Sequence, residues 1–397
     1  MDYNNLLPDQ EVDENGLVFD LESLYAYLAQ VEDPRDRRGK QYALATLLVL
    51  MLLAKFGGED TPSGITDWVA GRKELLTELK VLRRAKVPCH MTYRRVLQDI
   101  LASEELEALM SKYHQLRLQE EQEIVLSMDG KALRGTIRRG ETRGVHLLAV
   151  YVPQQGLVVV QAEVDCKENE IVVAPHVLRQ VNLNGVIVIG DAMHTQRAAS
   201  VQIVSDGGDY LWFVKGNQAR TRWAIEKLFV HEVCNLQKGC ALSKDFQMVS
   251  KVNKSHGRIE QRTIMVSSLL NDYLDWPHVA QVFRLDRLVW HCQYGGKTRE
   301  TIYGLTSLSA KKAHPAKLLA LTRTYWGIEN GLHYRRDVTL HEDATRLTLG
   351  QAGHNMAILN NLVIGLCLSQ GLRNLAQARR RFCARPQDAL QLILSAP

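Results

Sequence analysis

Between Glu123 and Val230 the sequence alternates short β-branched runs with helical stretches, and few folds accept the order in which they come. Three β-rich runs lead, IVLSM, VHLLAVYV and LVVVQAEV, separated by turn-forming or charged residues. A helical stretch at about 169–181 then runs into GVIVIGD, whose unbroken apolar character suits a strand buried on both faces. A second helix at 195–205 leads to DYLWFVKGN, a fifth strand, and a third helix follows at 220–230.

Three antiparallel strands followed by two α/β units predict an α/β, RNase H-like mixed-sheet core. Around it the 397 residues leave room for further domains. Residues 1–20 read as an acidic flexible tail, and 21–120 as a small all-helical N-terminal domain whose basic run at 72–95 is either a solvated helix surface or a DNA-contacting module. The core begins at 121 and runs to 234, a β-rich insertion occupies 235–310, and 311–397 return to the core as C-terminal helices with a basic tail. In the insertion, YGGKTRE reads as a hairpin; a phosphate loop would need Gly at 291, where His291 stands.

Charge is unevenly spread. Residues 1–34 hold nine acids and no Lys or Arg, leaving 49 basic against 35 acidic groups in the remainder. That body suits a polyanionic partner. Basic groups gather at 72–95, which includes Arg94 and Arg95, at 215–262, and at 373–385. Seven scattered cysteines without a C-x-x-C pair encode neither a zinc site nor a disulfide framework. The run QYALATLLVLMLLA at 41–54 is short for a bilayer span and reads as a buried helix. With no signal peptide visible, a cytoplasmic protein without membrane association is expected.

The first and fourth strands each end on an aspartate, Asp129 in SMDGKALRG and Asp191 in GDAMHTQ. Strand-end aspartates are common turn punctuation. If the two strands are neighbours, however, their carboxylates lie side by side and repel unless a cation or proton is shared. A third acid, Glu329, lies in KLLALTRTYWGIENGLHYRRD, where Leu318, Leu321, Tyr325, Ile328 and Leu332 are spaced 3, 4, 3, 4 as on an amphipathic helix. Glu329 is expected to face partly inward beside that stripe, with Tyr325, His333 and Arg336 on its face. The acids of His341-Glu342-Asp343 form a rival cluster beyond the helix.

SMDGKALRG, CKENEI, GDAMHTQ, LWFVKGNQ, HGRIEQR, IYGLTSLS and YWGIENGLHYRRDVTLHED together resemble, in order, the motifs of H-repeat-associated insertion-sequence transposases. EDPRDRRGKQYALATLLVLMLLA similarly resembles the amino-terminal associated domain of that family. The resemblance implies a DNA transposase with a metal-binding acidic triad at Asp129, Asp191 and Glu329, which are 62 and 138 residues apart. It implies two Mg²⁺ ions, with Mn²⁺ as a substitute, roughly 3.5–4 Å apart. Duplex DNA, as transposon ends and target, would be the partner of a homodimer or larger assembly, nucleoid-associated when bound. Lys131, Arg134, Lys215, Asn217, Tyr325, Arg336, Arg94 and Arg95 are its candidate DNA contacts. Related families place Tyr and Arg at −7 and −4 from the Glu, where this chain has Thr322 and Tyr325. A domesticated relative that only binds DNA, or a nuclease that cuts without joining, are the competing readings.

Overall fold

The structure, a computed structural model, describes residues 7–118, 123–165, 169–255, 257–292 and 295–397. Residues 1–6 of the expected tail lie outside these, as do 166–168 of CKENEI, His256 of HGRIEQR and Tyr294 of YGGKTRE. The chain divides into two compact units. The first comprises residues 1–120, 130–167 and 329–397, and the second 121–129 and 168–328.

The first unit opens with a small antiparallel pair, β1 (Gln10–Val12) and β2 (Val18–Asp20), where a flexible tail was expected. Burial of Leu17 and Phe19, and the ring of Tyr25 against Phe19, anchor this segment. Six helices follow: α1 (Leu24–Leu28), α2 (Leu44–Phe56), α3 (Pro62–Ala70), α4 (Lys73–Glu78), α5 (His90–Arg95) and α6 (Ser103–Leu116). Thr61 caps α3 just before Pro62, a favoured helix start. Every residue of α2 is buried, Lys55 included, so the apolar run at 41–54 is indeed a core helix. Lys55 is tolerated there because Asp60 lies 3.2 Å from its ammonium, and Asp60 in turn meets Arg379 at 2.9 Å. Among the described residues no helix is long and apolar enough to cross a membrane.

The chain passes between the units within β3 (Val125–Ala132). In the first unit the end of this strand is followed by the antiparallel hairpin of β4 (His146–Val152) and β5 (Leu157–Glu163). In the second unit come α7 (Glu170–Leu178), β6 (Ile187–Gly190), α8 (Arg197–Ser205), β7 (Asp209–Val214) and α9 (Ala219–Gln237). There β3, β6 and β7 are parallel neighbours. This is the mixed RNase H-like arrangement expected from the element order.

The β-rich stretch after α9 is not a separate layer. Its strands β8 (Phe246–Ser255), β9 (Arg258–Ser267), β10 (Gln281–His291) and β11 (Lys297–Thr306) form an antiparallel run that joins β7 through β11, giving the order β3-β6-β7-β11-β10-β9-β8 within the second unit. The helix α10 (Pro315–Ile328) packs its Leu318, Leu321 and Tyr325 stripe on Ile187, Ile189, Phe213, Ile264 and Leu285. In the first unit the chain then takes two wide π turns, Glu329–His333 and Arg335–Thr339, before α11 (Ala352–Ser369), α12 (Leu375–Ala384) and α13 (Pro386–Leu394).

The joint between β11 and β7 depends on Gly304: a Cβ there would meet the ring of Phe283 at 2.1 Å and the backbone oxygen of Trp212 at 2.4 Å. Gly304→Ala should therefore lower stability in chemical denaturation by about 1–3 kcal/mol, since the Trp212 carbonyl is part of the sheet and cannot yield.

A second expectation concerns pH. The imidazole of His354 on α11 faces Glu107 of α6 at 3.2 Å and Glu163 of β5 at 3.4 Å. Burial disfavours its charge, but the hydrogen bonds of the two carboxylates prevail and raise its pKa to about 9. Its contribution is complete below the ordinary histidine pKa of about 6.5 and is lost as pH rises through the folded value. The thermal midpoint of the wild type should fall between about pH 7 and 10 by more than that of His354→Gln.

Candidate active site

Parallel pairing of β3 with β6 matches Met128 to Gly190, and the next residue on each strand is an aspartate. Asp191 thus stands just past the end of β6, while Asp129 lies inside β3, which was expected to end there but runs on to Ala132. Asp129 sits where the pairing with β6 stops, and both acids are partly exposed. The chain turns sharply after β6, and Asp191 helps it: one carboxylate oxygen accepts the backbone N–H of Met193 at 2.7 Å and that of His194 at 3.3 Å. Thr195 closes the loop by donating to the carbonyl of Phe213 at 2.7 Å. His194 is buried with its Nε2 3.0 Å from Glu170 of α7, which makes it a support of this loop.

At the end of β7, Lys215 and Asn217 are exposed. The amide of Asn217 donates to the carbonyl of Ala192, and Gln218 donates to Thr195 at 3.0 Å, so this turn is tied to the loop that carries Asp191. Trp212 and Phe213, earlier in the same strand, are core.

Glu329 directly follows Ile328, the last residue of α10, and is exposed, where an inward-facing position was expected. The reason is local: regular α-helix ends at Ile328, and the π turn that begins with Glu329 alters the angular spacing on which the expectation rested. An ionised carboxylate also loses heavily on burial without a partner. Among the described residues, no three His, Cys, Asp or Glu side chains are gathered closely enough to hold an ion together. Three like charges do not close on one another unaided.

The same π turns undo the shared face assumed for Tyr325, His333 and Arg336. Tyr325 is buried, its ring against Phe213 and Trp326, so it is a core residue and not a DNA contact. Arg336 is fully buried, and its Nε donates to both oxygens of Glu342 at 3.0 and 2.8 Å. Asn360 of α11 also donates to Glu342, at 2.8 Å, and Arg336 reaches Gln161 of β5 at 3.2 Å. A guanidinium held in this way cannot serve a phosphate, which overturns the DNA role expected of Arg336. Lys131 is likewise buried, with Nζ 2.7 Å from Asp337 and 3.8 Å from Asp343. It too is an internal ion-pair residue. Asp337 was not singled out in the sequence; its only signal there was an acid eight residues past Glu329. Arg134, whose side chain is 79% exposed, Arg94 and Arg95 do lie at the surface.

Neighbouring carboxylates on adjacent parallel strands of a sheet of this order define an RNase H-like protein with an acidic candidate centre. The family follows from comparison: the chain matches the family described as "Transposase DDE domain" over residues 120–366, and the "DDE_Tnp_1-associated" family over 25–114. It belongs to the DDE-domain transposase family. Its relatives include the protein named "Putative transposase YncI" of Escherichia coli O157:H7, 27% identical over 87% of each chain. "H repeat-associated putative transposase YhhI" of E. coli K12 is 25% identical over 87% of this chain and 90% of its own. "H repeat-associated putative transposase YbfD" of the same strain is 28% identical over 65% of this chain and 98% of its own. Among solved structures, the piggyBac transposase synaptic complex with hairpin DNA gives a TM-score of 0.43 at 10% identity, covering 93% of this chain and 77% of that one, a likeness too loose to bear on function.

DDE domains depend on divalent metal. Asp129 and Asp191 fit such an ion in kind, since both present hard carboxylate oxygens.

The surroundings of the two glutamates set them apart. Glu342→Gln leaves the buried Arg336 without its counter-charge and should cost about 3–5 kcal/mol in equilibrium unfolding. Glu329→Gln, at an exposed position, should stay within about 0.5 kcal/mol of the wild type.

Proposed function

We propose that this protein is an active DNA transposase that cuts phosphodiester bonds at the ends of an insertion element and joins the freed 3′-hydroxyl to target DNA. The observation that carries this reading is the placement of Asp129 and Asp191 directly after the last paired residues of two adjacent parallel strands, in a chain of the DDE family. Glu329 is the third acid by its place in the sequence, at the end of the helix that packs on the same sheet.

In this reading Asp129, Asp191 and Glu329 provide oxygen ligands for divalent ions, Mg²⁺ in the first instance. The bound metal supplies Lewis-acid activation of the attacking oxygen and stabilisation of the leaving one. The chain's own groups do the rest. The Met193 and His194 amides fix one oxygen of Asp191, so the carboxylate is oriented before DNA arrives. Lys215 and Arg134 are exposed and serve to position phosphates, while Asn217, tied to the carbonyl of Ala192, holds the turn that carries Lys215. In the first step water attacks the end phosphodiester and the 3′-oxygen departs as a hydroxyl. In the second, that hydroxyl attacks a target phosphodiester, and a target 3′-oxygen leaves. No protein nucleophile is consumed. The associated domain, with Arg94 and Arg95 exposed on α5, serves in reading the element ends, and pairing two ends calls for a dimer or larger assembly on DNA.

Asp129→Asn and Asp191→Asn remove a metal ligand while hardly changing the basic surface. Each should reduce Mg²⁺-dependent nicking of end DNA by more than about 1000-fold, with DNA affinity within about twofold in a metal-free gel-shift titration. Nicking by Asp129→Asn at the wild-type rate would refute the acidic-centre mechanism. A wild-type protein that binds ends but never cuts, in Mg²⁺ or Mn²⁺, would identify a DNA-binding relative instead.

A further inference from the structure

Lys131 sits two residues beyond Asp129 and is more than nine-tenths buried, yet none of the surface electrostatics expected of it remain. Its ammonium lies 2.7 Å from Oδ1 of Asp337, donates to Oδ2 at 2.8 Å, and stands 3.8 Å from Asp343. Around this pair the same two stretches meet repeatedly. The backbone N–H of Arg134 donates to Asp343 at 3.0 Å, and the N–H of Leu347 donates to the carbonyl of Gly135 at 3.1 Å. Gly135 approaches so closely that a Cβ would lie 2.3 Å from the carbonyl oxygen of Thr345 and 2.7 Å from that of Glu342. One residue before Asp337, Arg336 is anchored to Glu342 and Gln161. Consecutive side chains of the second π turn are therefore bonded to different partners, which fixes that turn in both rotation and translation. All of these residues belong to the first unit.

We propose that Lys131 is a positioning residue. Its ion pair with Asp337 and Asp343 seats the segment beginning at Glu329 on the exit of the strand that carries Asp129, and so sets where the third acid is presented. A segment built of π turns holds its shape less well than regular α-helix, because the turns are wide and rarely extend. External anchors supply what its own hydrogen bonding does not. This inference rests on the transposase reading above.

The test uses the full-length chain, with element-end DNA and Mg²⁺. Lys131→Met should slow nicking at saturating DNA on the order of 100-fold, as misplacement by about 1 Å does, while Kd for the same DNA measured without metal stays within about twofold. Asp337→Asn is nearly isosteric and should show the same loss, and Lys131→Arg should recover most of the rate. The double variant should be no slower than either single one, because both remove one interaction. Amide hydrogen exchange over 329–339 should quicken in Lys131→Met and Asp337→Asn without DNA or metal present. An unchanged nicking rate in both single variants overturns the proposal. So does a tenfold weaker Kd with a normal saturated rate, which would make Lys131 a strand contact. A wild type that does not nick refutes the transposase reading alone; unchanged exchange over 329–339 then still refutes the anchoring.

Discussion

Two carboxylates side by side on adjacent parallel strands repel, and a protein keeps such an arrangement only when the surrounding fold imposes it. Here the imposition comes from the register of β3 on β6, which aligns Met128 with Gly190 and leaves an aspartate next on each strand. Everything else in the second unit serves that register. Buried Ile187 and Ile189 and the flanking β7 hold β6 on both sides, while α10 covers the face with its apolar stripe. The Asx turn at Asp191 and the tie from Asn217 to Ala192 then keep the strand-end loop still. A one-residue slip would carry one aspartate to the opposite face of the sheet and dissolve the pair.

Ion pairs carry a comparable share of the order in the first unit. Lys55 with Asp60 and Arg379, and Arg336 with Glu342, are largely buried, and Lys131 is buried against a half-buried Asp337. Such pairs add little net stability over apolar packing, but once present they are intolerant of losing one member. Their effect is to specify position. Arg379 fastens α12 to the carbonyl of Lys55 on α2, and Glu342 joins the segment after Glu329 to Asn360 on α11. The basic surplus of the chain is thus divided. One share is spent internally on fixing geometry, and the rest, including Arg94, Arg95, Arg134 and Lys215, remains at the surface, where a polyanion can meet it.

Much of the fold was legible in the sequence because its signals are local. Alternation of β-branched runs with helical stretches is a property of neighbouring residues, and it marked β3 to β7 and their helices in order. The stripe at Leu318, Leu321, Tyr325 and Ile328 is equally local, and all four residues are buried as it implies. The end of β6 at Asp191 could be read for the same reason, whereas β3 runs on past Asp129 to Ala132.

What the chain alone could not disclose was which charges are available. Lys131 and Asp337 are 206 residues apart, and no periodicity connects them. Whether a lysine after a strand-end aspartate faces DNA or an internal acid depends on which distant segment packs beside it. Glu329 and Arg336, expected on one face, part company because the chain widens into π turns after Ile328, a change of pitch that composition does not announce. The sequence by itself determined the order of elements, through short-range periodicity. Only the tertiary structure decided which cations are buried, which carboxylate is exposed, and where β8 to β11 attach, because those depend on long-range pairing whose free energy no local pattern encodes.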